Sequence, residues 1–205
     1  MGNSSETQQK IIDAAILIFA SQGYHGTTTA EIAREAQVAE GTIFKYYKTK
    51  KQLLRAVLGY IIHEVVPSVM SAQFQEQLIN LGSGDAKSTV KTLLLSKIEQ
   101  ISKNVNCIKI VVNEIQYHED LKQEYLGQLV PGFIKFMEGI YEKGVKNGVF
   151  RDINSHTAVR SFVGMISFLV LEKNVLNKQL DISKELDTIL DIYINGVVEK
   201  RENNA

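Results

Sequence analysis

The sequence holds one cysteine, two prolines and no tryptophan in 205 residues. The single thiol, Cys107, cannot close an internal disulfide, and a chain without one suits a reducing compartment. Only Pro67 and Pro131 are available to break helix interiors, so long helices are open to this chain. An excess of either charge is also missing, since 23 basic side chains balance 23 acidic ones. No apolar run reaches the roughly 20 residues that a bilayer span needs. The longest, at 162–171, is fenced by Arg160 and Glu172. The first nine residues lack the basic-then-apolar pattern of a secretory leader. The expectation is a soluble, cytoplasmic protein with no membrane partner.

Hydrophobic residues make up 44% of the chain, enough for a sizeable core. Their spacing is helical throughout. Ile11, Ile12, Ala15, Ile16, Leu17 and Phe19 mark one face of a helix over 7–22, stopped by Gly23. Thr28 and Glu31 form a capping box for a second helix, with Ile32, Ala33 and Ala36 inward. A tight turn at 37–39 leads into a third helix over 40–47. A fourth starts near Lys50 and carries Leu53, Leu54, Val57, Leu58, Ile61, Ile62 and Val65, with Pro67 ending or bending it. After a small-residue loop at 80–85, the stretch 108–117 is apolar and β-branched enough to pass for a strand. Its helical surroundings argue for a buried helix. The pattern over 121–146 is interrupted at Pro131. The helix over 158–176 is apolar nearly all round, and Ser183 is read as the cap of the last one.

These readings define an all-α fold of about nine helices. A three-helix helix-turn-helix domain is expected at 1–49, its motif at about 28–47. A helical ligand-binding and dimerisation domain is expected at 50–205.

The third helix carries the functional signal. Ile43 and Tyr47 lie one turn apart and can pack inward, which frees Thr42, Lys45 and Tyr46 to point outward. Small, polar and basic side chains suit a major groove, where base edges offer donors, acceptors and methyl groups. Gly41 allows close approach of a sugar-phosphate backbone. Lys50 opens the fourth helix, where its amine and free backbone N–H groups can meet a phosphate. Residues 1–59 carry seven basic and five acidic side chains, and Lys45, Lys48, Lys50 and Lys51 fall within one short stretch. Local clustering of that kind makes an electrostatic footprint even on a neutral chain.

Gly23-Tyr24, Thr27-Thr28-Thr29, Ile32-Ala33, Ala36, Val38, Gly41-Thr42-Ile43, Tyr47-Lys48 and Lys50 together resemble the N-terminal domain of the TetR/AcrR family, over about residues 7–60. The resemblance implies a phosphate contact at Thr29 and recognition-helix contacts at Thr42, Lys45 and Tyr46. It implies a phosphate-binding Lys50, and base-reading positions at Ala30 and Glu40. Phe44 stands where the family has a tyrosine, so a hydroxyl-to-phosphate contact is missing there, and Lys45 is its substitute. The segment before Lys10 has no basic residue for a minor groove.

The resemblance further implies pairing of the last two helices with those of a second copy. The residues assigned to that homodimer are Phe162, Ile166, Leu169, Leu186, Ile189, Leu190, Tyr193, Ile194 and Val197. Leu94, Ile98, Cys107, Ile110, Val111, Glu114, Tyr117, Phe133, Phe136, Met137 and Met165 are assigned to a mostly apolar cavity for an unknown small ligand. Ligand binding is expected to shift the protein away from the form whose two recognition helices fit successive major grooves of double-stranded DNA. His25, His63, His118 and His156 lie far apart, and none has metal-ligand spacing. The acids Glu119 and Asp120 beside His118 read as the first turn of a helix. No cofactor, metal or catalytic constellation is expected. The whole reads as a repressor released from a near-palindromic operator by its ligand.

Overall fold

A computed structural model describes residues 2–69, 71–79, 86–176 and 178–195. Among them all regular structure is helical. The elements are α1 (Gly2–Gly26), α2 (Thr29–Glu35), α3 (Glu40–Tyr46), α4 (Lys50–Tyr60), a π-helical turn (Ile61–Val65), α5 (Val66–Val69), α6 (Ala72–Ile79), α7 (Ala86–Lys103), α8 (Val105–Glu114), a 3-10 turn (Ile115–Tyr117), α9 (Glu119–Lys146), α10 (Ser155–Asn174) and α11 (Ile182–Asn195).

The described residues gather into two compact units, one within 1–70 and 104–131, the other within 71–103 and 132–205. The expected functional boundary at 49/50 falls inside the first. There α4 and α8 pack on the same α1 that carries the front of the chain, and one core runs through all of them. Ile11, Ala15 and Phe19 of α1 meet Ile32 of α2, Ile43 of α3, Leu53, Leu54 and Val57 of α4, and Ile110 of α8. Ala14 is buried in this core, whereas Leu17 is turned outward; the helical phase favours Ala14 by one step around the axis. The second unit holds two smaller clusters. Ile98, Leu169 and Leu186 centre one, and Tyr141, Ala158 and Val159 the other.

Four local expectations meet a different geometry. Pro67 does not end its helix: the backbone passes through a π-helical turn into α5, which contains the proline. A π-turn already displaces the i−4 carbonyl that a proline ring would strike. Pro131 lies inside α9 without ending it. Residues 108–117 are helical as expected, but α8 tightens to a 3-10 turn at Ile115. The cap of α11 is Asp181, whose Oδ1 accepts the Lys184 N–H at 3.2 Å; Ser183 lies within the first turn.

In the second unit, Gly144 is a close approach. A Cβ there would stand 2.2 Å from the Phe150 ring, which stacks on Tyr141 with centroids 5.1 Å apart. No described helix is long and apolar enough to cross a membrane.

Candidate nucleic-acid interface

Two short helices and a tight turn build the site. Thr28 is the N-cap of α2: its hydroxyl accepts the Glu31 N–H at 3.2 Å, and Glu31 Oε2 accepts the Thr28 N–H at 2.8 Å. The Thr28 N–H and hydroxyl, both donated to Glu31 Oε2, hold the Glu31 carboxyl below its usual range. At the other end of α2, Gln37 adopts φ 55, the Val38 N–H reaches Ala33 O at 2.9 Å, and the Gln37 N–H reaches Arg34 O at 3.2 Å. That pair of bonds around a left-handed residue is a Schellman stop, filled here by glutamine instead of the usual glycine. It aims α3 across α2. The two helix starts are then joined directly, since the Thr29 hydroxyl donates to Glu40 Oε1 at 2.5 Å.

Ile43 fixes which face of α3 is free, because it is fully buried in the core. Glu40, Gly41, Phe44 and Lys45 are exposed, as are Thr28, Ala30 and Lys48, while Thr29, Thr42 and Tyr46 are half-buried. Phe44 is 41% exposed, an apolar ring on an otherwise polar face. Tyr46 packs on the core edge, and its hydroxyl lies 3.2 Å from Ser4 Oγ, which brings the start of α1 onto α3. No sequence signal marks that contact, as the two residues are 42 positions apart.

Lys50 behaves differently from expectation. Its Nζ donates to Tyr24 O at 2.8 Å and Thr27 O at 2.7 Å, and lies 4.5 Å from the centroid of the Tyr24 ring. The ammonium therefore caps the carbonyls at the end of α1. Lys51 is also engaged, with Asp120 at 2.8 Å, and Arg55 pairs with Asp120 and Glu124 at 3.4 and 3.2 Å. These pairs are about half exposed and open to screening and competition.

The residues assigned to a ligand cavity are shared between the two units. Cys107, Ile110 and Val111 belong to the first unit's core. Leu94 and Ile98 belong to one cluster of the second unit, and Met137 to the other. Phe133, Phe136 and Met165 are half-buried, and Tyr117 is 69% exposed. Glu114 is buried, but its carboxylate turns to the backbone of α1 rather than to a cavity: Oε1 accepts the Tyr24 N–H at 2.9 Å. An open groove of about 450 Å³ on α7 and α11 is lined by Lys87, Lys91, Leu95 and Asp187 among others, and by none of the assigned residues.

The dimer assignments divide as well. Leu169, Leu186 and Leu190 are buried in the chain's own core. Ile166 and Ile189 pack against that core, and the Phe162 ring meets Tyr193 at a tilt, with centroids 4.8 Å apart. Burial pushes the Tyr193 phenol up to about 12. Ile194 is 50% exposed, and Phe168 and Ile192, which were not assigned, are also exposed. Val197 lies outside the described residues. Among the described residues no three His, Cys, Asp or Glu side chains come together as a metal site.

Comparison with known proteins agrees with this geometry. Residues 11–57 match the family model described as bacterial regulatory proteins, tetR family. The fatty acid metabolism regulator protein of Bacillus subtilis is 22% identical over 193 residues, which cover 93% of this chain and 95% of that protein. The HTH-type transcriptional repressor KstR2 of Rhodococcus jostii is 25% identical over 159 residues, covering 76% of this chain and 74% of its own. The crystal structure of the transcriptional regulator FadR from Bacillus subtilis in complex with stearoyl-CoA superposes with a TM-score of 0.70 at 22% identity, over 93% of this chain and 99% of that one. That likeness extends the shared fold beyond the matched segment. Residues 11–57 are thus similar to the DNA-binding segment of the tetR family of bacterial regulatory proteins, and the rest of the chain shares the fold of solved regulators.

Proposed function

We propose that the protein is a homodimeric repressor that binds a near-palindromic operator and leaves it when a small, mostly apolar ligand binds. The observation that supports this most strongly is the outward face of α3. Buried Ile43 sets the helix so that Gly41, Phe44 and Lys45 face solvent beside Lys48. Thr42 and Tyr46 border that face, and Thr28, Thr29, Ala30 and Glu40 frame its leading edge. The N–H groups at the start of α4 offer a phosphate site, with Lys50 fixing the backbone beneath them.

A second copy would cover the exposed apolar side chains of α10 and α11, chiefly Phe168, Ile192 and Ile194. A two-fold dimer then presents two copies of α3 about one turn of DNA apart. The ligand class to test first is a long-chain acyl thioester, because the Bacillus subtilis relative is seen with stearoyl-CoA. The proposed cavity residues remain those named from the sequence, with Glu114 excepted, since it is spent at the end of α1.

The deciding experiment is a gel shift on the DNA upstream of the protein's own gene, at fixed salt with excess nonspecific competitor. The reading requires a competitor-resistant complex with two subunits per site, lost on adding the acyl thioester. Replacing Lys45 by Ala is expected to lower the slope of log affinity against log salt by about 0.9, the share of one phosphate contact. Failure to select any site from a random DNA pool would overturn the reading.

A further inference from the structure

We propose that Glu114 is a positioning residue for DNA binding: its carboxylate and the Lys50 ammonium hold the two backbone polar groups of Tyr24 and so tie the setting of α2 and α3 to the end of α8. This deepens the DNA-binding reading and rests on it. All the residues concerned lie in the first unit.

The geometry is a series of short polar links around a bend. Gly23 breaks α1 with φ 73, a conformation open to glycine. A Cβ on Gly23 would stand 3.4 Å from Glu114 Oε1, so the carboxylate lies against the bend itself. Glu114 is 5% exposed at the last position of α8. A carboxylate buried that deeply needs compensation. One part is the Tyr24 N–H at 2.9 Å. The Lys50 ammonium holds the other backbone polar group of the same residue, the Tyr24 carbonyl, at 2.8 Å. The links continue toward the DNA face. Lys50 also holds Thr27 O at 2.7 Å, and the Thr27 hydroxyl closes back on Gly23 O at 2.8 Å. Thr28 then caps α2, and Thr29 bonds Glu40 at the head of α3.

The surroundings keep Tyr24 in place. Its ring meets Phe19, His25 and His118 at centroid distances of 5.7, 5.3 and 5.1 Å. Burial raises its phenol, with Lys51 pulling the other way and Glu114 adding to the rise. His118, just past the 3-10 turn that follows Glu114, has its Nε2 buried with no hydrogen-bond partner among the described residues. Spatial succession alone does not prove coupling; a thermodynamic cycle does.

The test measures affinity for an operator selected from a random DNA pool, using Glu114→Ala, Glu114→Gln, Lys50→Met and the Glu114→Ala/Lys50→Met pair, with Lys45→Ala as reference. Glu114→Ala is expected to weaken binding about tenfold, and Glu114→Gln, which keeps an acceptor for the N–H, less than about threefold. Because both charges act on Tyr24, the double variant should be no weaker than the worse single one. Single effects that multiply, or a Gln variant as weak as Ala, overturn the relay. So does wild-type affinity in Glu114→Ala while Lys45→Ala loses binding. If the wild type itself binds no DNA, the functional reading fails. The relay is then judged by amide exchange over residues 23–28, which Glu114→Ala must accelerate if the carboxylate holds the bend. Glu114→Gln serves for the whole series if the Ala variant does not fold.

Discussion

The two units bury their apolar residues to different degrees. The first folds six helices around one continuous core in which Phe19, Ile43, Leu53, Ile110 and Leu121 are fully enclosed. Among the described residues the second has two separate clusters; both units leave large apolar side chains in solvent, Tyr117 and Leu17 in the first and Phe168, Ile192 and Ile194 in the second. A continuous core specifies its geometry from within the chain, as the proposed DNA-binding surface would require. Split clusters suit a region whose final packing depends on other molecules.

Breaking the comparison at its strongest point means emptying the first core. Phe19→Ala is expected to cost about 3–5 kcal/mol, read by urea unfolding, because so enclosed a ring leaves a cavity that cannot collapse. A loss below 1 kcal/mol would show that the first unit is no better packed than the second. Phe168→Asp addresses the opposite property. It should raise the dimer dissociation constant by tenfold or more in sedimentation, while leaving urea unfolding of the first unit unchanged. Gly144→Ala probes a point where the second unit is tight. The methyl must displace Phe150 from Tyr141, at about 1–3 kcal/mol by thermal melting.

The smallest expected effect is at the DNA face. Thr28→Ala removes the α2 cap and should cost about 1 kcal/mol in the same urea assay. It also alters a pH response. The Glu31 carboxyl is held below its ordinary 4.5 in the folded protein by Thr28. A depressed carboxyl adds stability that is complete above the unfolded value and disappears as pH falls through the folded one. The stability difference between wild type and Thr28→Ala should therefore shrink below about pH 4.5 and stay constant from there to neutrality.

Legibility from sequence follows the same division. In the first unit, cap, stop and inward face are local patterns. Thr28 with Glu31, Gly23, and Ile43 can be read within a few residues of themselves, and all three stand where the pattern puts them. What the pattern misses there is long-range polar pairing. Glu114 and Lys50 look like a cavity acid and a surface phosphate ligand until folding brings both to Tyr24. In the second unit, α10 is apolar on most sides, so periodicity cannot say which side faces inward. Leu169 and Phe168 are adjacent and equally apolar, yet one is buried and the other exposed. The cap of α11 was misplaced for a related reason: Asp181 and Ser183 are both good caps, and only the helix start decides between them.

Cys107 sits where α8 packs on α1, and burial pushes its thiol up, with Asp13 adding to the rise and a backbone hydrogen bond opposing it. A thiol that is both enclosed and protonated reacts with alkylating reagents only when its surroundings open. As the sequence has no second cysteine, the chain carries its own stopwatch. The labelling rate at neutral pH counts how often α8 lifts from α1. Comparing that rate with and without operator DNA would time the parting of the two helices without adding any probe.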